Sequence, residues 1–290
     1  VLTAISKRNF VLQRLTRPPA QRVASTRRPA VEFVAVLLAV TLAAACVRTA
    51  PTDPPASTAA LATTPPPSPA ASLATPAQPV YALPRDGAAA RASGRPWRVV
   101  GHLHGICYPP SYSAGRWLDA AVDIGVLVAP TGNARCGDGS IGPPSWEAPS
   151  WEELVAIMDG DLERSITKVS AKHPGAIRRD GAVLTGFSRG AYAAPVIARM
   201  HPGRWPYLVL IEANVPLSAD ALRKAGVRAV ALLAGEVGSE IAGERKTDAE
   251  LTRAGFPSRL FVMPKVGHLY PDDMDRLMAD AFAFVLSHEQ

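Results

Sequence analysis

The sequence predicts an α/β fold, a three-layer sandwich in which a mostly parallel sheet of about six strands is flanked by helices. Three observations predict it. From Trp97 onward, apolar runs of buried-strand length alternate with helical patterns. One of those runs, Gly181-Ala182-Val183-Leu184-Thr185, passes through the glycine-bracketed turn Gly186-Phe187-Ser188-Arg189-Gly190 into a helix-forming segment rich in small and apolar residues. Finally, the unusual composition is confined to the region before Trp97: residues 1–95 carry a formal charge of +8, whereas residues 96–290 carry −2. The net +6 of the chain therefore belongs to its first part, and the folded part offers no electrostatic reason to bind nucleic acid.

Residues 1–46 read as an export signal. Lys7, Arg8, Arg14, Arg17, Arg22, Arg27 and Arg28 precede an apolar run, Val34 to Ala45, and the small residues Ala43-Ala44-Ala45 precede Cys46. The run falls short of the roughly 20 residues a membrane-spanning helix needs. Leu42-Ala43-Ala44-Ala45-Cys46 resembles a lipoprotein signal, in which Cys46 carries the lipid; cleavage after Ala45 is the next alternative and an uncleaved anchor the last. Residues 47–96 are rich in Pro, Ala, Thr and Ser, with Pro65-Pro66-Pro67 at their centre, and read as a disordered or polyproline tether. Within it only Val80 to Leu83 suggests a short edge strand.

The folded domain is expected over 97–290. Strands are predicted near 98–103, 124–129, 182–185, 207–211, 229–233 and 259–262, each a short apolar run. Helices are predicted near 150–172, 190–200, 219–224, 246–254 and 272–286. This leaves little room for an inserted lid.

The turn at Gly186 to Gly190 has the strand, turn, helix context that G-x-S-x-G requires if the serine is to be a nucleophile. A serine on so sharp a turn has a strained backbone, and side chains at the flanking positions would collide with the neighbouring strand or helix.

At this point the pattern resembles the α/β-hydrolase superfamily over nearly all of 97–290, and looks most like its small, lidless esterases, such as dienelactone hydrolases. The resemblance implies a nucleophile, an acid and a histidine in that chain order. Ser188 is then the nucleophile and His268, on the loop after the last strand, the base. The family places an Asp after the penultimate strand, where this chain has Gly238; Glu236 is favoured as the substitute because it leaves the strand directly, ahead of Glu240 and then Glu212. The oxyanion donors implied are the N–H groups of Ile106, in Gly101-His102-Leu103-His104-Gly105-Ile106, and of Arg189. The resemblance also implies that this chain lacks the first two strands of the family's sheet.

His102 and His104 lie close enough together to suggest a metal pair, but no third ligand cluster accompanies them, so no metal and no cofactor are expected. Cys107 and Cys136 read as a disulfide if the protein is exported, or as two buried thiols if it is not. Trp146 and Trp151, with Tyr112 and Trp117, are candidate pocket walls. The leading expectation is an exported serine esterase, lipid-anchored in a bacterial cell envelope or secreted, acting on small-molecule or polymeric esters with short or accessible acyl groups. The same constellation permits a serine peptidase, and the missing Asp at 238 leaves room for a non-catalytic surface lipoprotein of this fold.

Overall fold

The computed structural model describes residues 78–137 and 142–289, all within one compact unit spanning 68–290. The expected export signal at 1–46, with Cys46, and the tether from 47 to 77 lie outside the described residues. In chain order the elements are β1 (Val80–Ala82), α1 (Gly87–Ala92), β2 (Trp97–Leu103), α2 (Pro110–Gly115), α3 (Leu118–Ile124), β3 (Val126–Ala129), β4 (Ala134–Arg135), β5 (Pro144–Ser145) and α4 (Trp151–Lys172). There follow β6 (Ile177–Phe187), α5 (Arg189–Met200), β7 (Tyr207–Ile211), α6 (Ala219–Lys224), β8 (Ala229–Gly235), α7 (Ile241–Arg253), β9 (Ser258–Met263) and α8 (Met274–Leu286).

Seven strands form the main sheet in the order β1-β3-β2-β6-β7-β8-β9; only the β1–β3 pair is antiparallel. Both faces are buried, so alternate residues of one strand serve different layers. Leu208 and Leu210 of β7 and Val230 and Leu232 of β8 pack into one core with residues of α4 to α7. Tyr207, Val209 and Ile211, with Ala229, Ala231 and Leu233, face the other core, which α3 and α8 close with Ala120, Ala121, Met278 and Phe282. The three-layer sandwich expected from the sequence is the observed architecture.

One boundary and one connection differ from expectation. The stretch 80–96, assigned to the tether, is folded: Val80, Tyr81 and Ala82 pair with Ala129, Val128 and Leu127, and Ala90 on α1 is buried in the core. The short edge strand expected at Val80 to Leu83 is thus present, and the chain stays ordered beyond it through α1, with Arg85 bridging Asp119 and Asp123. The sheet consequently begins one strand earlier than the resemblance implied. Helices α2 and α3, absent from the sequence reading, fill the segment between β2 and β3.

The connectivity fixes where a ligand fits. From β2 the chain moves outward to β3 on one side and then crosses to β6 on the other, so the strand order reverses between β2 and β6. In open α/β sheets, the crevice beyond the carboxyl ends of the strands at such a reversal is where ligands bind. Gly105 follows β2 there, and Ser188 follows β6.

Candidate active site

Ser188 occupies the turn between β6 and α5 with φ 52° and ψ −118°, a conformation non-glycine residues seldom adopt. Its surroundings hold it there. The Ser188 N–H donates to Ile211 O at 2.8 Å, and Ser188 O accepts from the N–H groups of Ala191 and Tyr192 at 2.9 and 3.1 Å. The flanking glycines are required by close approach: a Cβ on Gly186 would strike the backbone of Gly190, and one on Gly190 would strike Leu103 O. Backbone strain of about 1–3 kcal/mol is the usual cost of such a residue. Ser188 is half-buried there.

His268 sits on the loop after β9. That loop folds back onto the end of β8, where Gly235 lacks the Cβ that would strike Gly267 O and Val266 O, and Val237 N–H donates to Val266 O at 3.1 Å. The imidazole lies against the Phe187 ring, next to Ser188 in sequence, with centroids 5.1 Å apart. Its Nδ1 is 3.3 Å from Oε2 of Glu212, whose side chain is fully buried while the histidine is 45 % exposed. This is looser than the about 2.8 Å of a well-formed charge-assisted bond, as unliganded sites often are. The close contact with the Glu212 carboxylate raises the His268 pKa above its ordinary value; partial burial opposes this, and the negative charges of Glu212 and Glu240 add to it.

The carboxylate that the structure brings to the imidazole is Glu212, third in the sequence ranking, and not the favoured Glu236. Glu236 accepts the Lys265 N–H at 3.0 Å and so ties down the loop that carries His268 rather than the ring itself. Glu240 accepts the Asn214 N–H at 3.0 Å and the Tyr192 hydroxyl at 3.4 Å. Glu212 follows β7 directly, with φ 56°; its N–H donates to Leu233 O at 2.8 Å, and its Oε1 accepts the Gly235 N–H. The glycine at 238 belongs to the same arrangement. A Cβ at this position, where an Asp was expected, would stand 3.5 Å from Glu212 Oε2, so a carboxylate placed at 238 would compete for the space the Glu212 carboxylate fills.

The loop after β2 faces the serine closely: a Cβ on Gly105 would lie 2.9 Å from Phe187 Cδ1 and 3.1 Å from Ser188 Cβ. Ile106, the next residue, is exposed at the rim. Arg189 opens α5, in the first turn, where helix geometry leaves backbone N–H groups without intrahelical acceptors. Cys107, with φ 58°, is bridged to Cys136, and its N–H donates to Ser145 Oγ at 3.4 Å. His104 supports this loop from below: Nδ1 donates to Gly105 O at 2.8 Å, and the ring stacks on Trp146, whose Nε1 donates to His104 O at 3.0 Å. His102 lies 2.8 Å from Thr185 Oγ1, which donates to Gly101 O, so its Nδ1 is the donor in that pair. Burial drives the pKa of His102 down to about 3 and that of His104 to about 4, so both are neutral near pH 7.

Two of the expected pocket walls are instead core. Trp146 and Trp117 are buried, whereas Tyr112 and Trp151 remain exposed. The sequence reading missed the aromatic cluster beside the serine, in which Phe187 touches Tyr108 at 4.9 Å and Tyr270 at 4.7 Å between ring centroids. The signal was present: Tyr108 lies two residues past Ile106, and Tyr270 two past His268.

No protein-family model matches the sequence, and no curated protein matches it. Solved structures do. A crystal structure of esterase PE8 superposes with a TM-score of 0.52 at 18% identity, covering 71% of this chain and 98% of the other. An S-formylglutathione hydrolase from Agrobacterium tumefaciens superposes with a TM-score of 0.50 at 15% identity, covering 73% of this chain and 90% of the other. At these identities the likeness establishes the fold, the α/β-hydrolase fold.

Proposed function

We propose that this chain is a serine hydrolase, most specifically a carboxylic ester hydrolase, with Ser188 as nucleophile, His268 as general base and Glu212 as the acid. The observation that carries the reading is the fully buried Glu212 carboxylate directed at His268 Nδ1, on a loop packed against the residue that precedes a strained Ser188. With Nδ1–H held by Glu212, the lone pair of Nε2 takes the Ser188 proton as Oγ attacks the ester carbonyl. The oxyanion that forms is received by the N–H groups of Ile106 and Arg189; one such donor is worth about 100 to 1000-fold in rate. Collapse expels the alcohol, which receives the proton from His268, and leaves an acyl group on Ser188. Water, deprotonated by the same imidazole, then releases the acid.

The non-catalytic alternative rested on the missing Asp at Gly238, and Glu212 supplies a carboxylate in that volume. Export, by a lipid on Cys46 or by cleavage after Ala45, is part of the proposal; the Cys107–Cys136 bridge supports it, since such bonds persist in oxidising compartments. Substrates are small-molecule or polymeric esters, with no cofactor required.

The reading is tested by treating the purified protein with a fluorophosphonate probe and mapping the labelled peptide. Stoichiometric labelling at Ser188, absent in Ser188→Ala, is expected. An unlabelled wild type, or label on Ser188→Ala, overturns it.

A further inference from the structure

Glu244, on the first turn of α7, is 1% exposed. Its Oε1 accepts the Ala213 N–H at 2.9 Å, and its Oε2 has no hydrogen-bond partner among the described residues. It does not act alone. Glu240 accepts the Asn214 N–H at 3.0 Å, and the Thr247 hydroxyl donates to Val215 O at 3.2 Å. Residues 240, 244 and 247 have the i, i+4, i+7 spacing of one helix face, so three side chains grip three successive backbone residues. Gly243, on the same face, lacks the Cβ that would strike the Asn214 side chain, and the helix can therefore approach the strap that closely.

The strap gripped in this way, Ala213 to Val215, follows Glu212 immediately, and Glu212 has the left-handed backbone that directs its carboxylate at His268. A non-glycine residue in that region persists only where its surroundings over-determine it. On one side it is held by Leu233 O and the Gly235 N–H; on the other it runs directly into the strap. We propose that Glu244 is a positioning residue: through the Ala213 N–H, with Glu240 and Thr247, it holds the strap that keeps Glu212 aimed at the imidazole. The inference rests on the serine hydrolase reading for its kinetic consequence but not for its structural one.

What Glu244 supplies is an acceptor oxygen at a fixed place, and it requires no charge to do so. Burial, ahead of the opposing Ala213 N–H and the neighbouring charges of Glu212 and Glu240, pushes its pKa up to about 9. Near pH 7 it is a neutral carboxyl, and glutamine presents the same acceptor in the same shape. Leucine fills the volume and presents none.

The test compares wild type, Glu244→Gln and Glu244→Leu, with Thr247→Val as a milder variant should leucine prevent folding. Two readouts are taken on folded protein: the NMR titration of the His268 imidazole, and the pH profile of kcat/KM on a short p-nitrophenyl ester. Glu244→Gln is expected to leave both within about threefold of wild type. In Glu244→Leu, kcat is expected to fall by roughly 100-fold with KM little changed, and the His268 midpoint is expected to fall as Glu212 swings away. Thr247→Val is expected to move both the same way by a smaller amount. A Glu244→Leu protein that loses thermal stability but keeps its kcat and its His268 midpoint overturns the inference and leaves the hydrolase reading standing. A wild type without esterase activity whose His268 midpoint still depends on Glu244 does the reverse.

Discussion

Replacing Glu244 by Gln isolates the cost of keeping one carboxyl inside the protein. Glu244 is 1% exposed, and burial is the largest of the influences that raise its pKa from 4.5 to about 9. Between those two values the native state holds a proton that the unfolded chain has released. The stability attached to Glu244 is therefore fully present below about pH 4.5 and is lost as pH rises towards 9, at up to about 1.4 kcal/mol per pH unit. Glutamine carries no such proton, so the variant lacks this slope. Urea unfolding of both proteins at pH 5, 6, 7 and 8 is the assay. The stability of the variant relative to wild type is expected to rise by about 3 kcal/mol between pH 5 and pH 7. Parallel stability curves across that range would refute the reasoning, because they would mean that Glu244 titrates no differently in the folded and unfolded chains.

Other consequences follow from the same geometry. Replacing Cys107 and Cys136 together by Ala removes the constraint on a separation of 29 residues and should lower unfolding stability by roughly 3 to 4 kcal/mol in the chain-entropy model, read by urea titration; a loss below about 1 kcal/mol would contradict it. Short p-nitrophenyl esters should be cleaved faster than long-chain triglycerides, and the opposite order in a substrate panel would contradict an open, lidless crevice. Because a Cβ at 238 would stand 3.5 Å from Glu212 Oε2, Gly238→Asp in a Glu212→Ala background should recover at least tenfold of the kcat lost by Glu212→Ala alone, measured by steady-state kinetics; no recovery would contradict the shared volume.

The sheet and its serine were legible because their signals are local. Continuous apolar runs marked β2, β3 and β6 to β9, and the glycines at 186 and 190 marked a turn where side chains could not fit. His268 was legible by position, on a loop directly after the last strand. The acid was not, because its place depends on facts that no short window holds. Glu212 reaches the imidazole through a left-handed backbone angle, through the Gly235 N–H from the adjacent strand and through the space at Gly238. Glu236 leaves its strand just as directly, yet its carboxylate is occupied by the Lys265 N–H. The short strand at Val80 was legible, but the helix after it was not, because α1 is Ala-rich and its burial at Ala90 depends on a core assembled from distant parts of the chain.

The measurement that bears most directly on the proposed catalytic site is the kcat of Glu212→Gln beside that of Glu236→Gln on one short ester. Losing the group that orients the histidine should lower kcat by roughly 10³ to 10⁴-fold for Glu212→Gln, while Glu236→Gln, which alters only a loop contact, should stay within about tenfold of wild type. A large loss at 236 with little effect at 212 would contradict the assignment of Glu212 as the partner of His268.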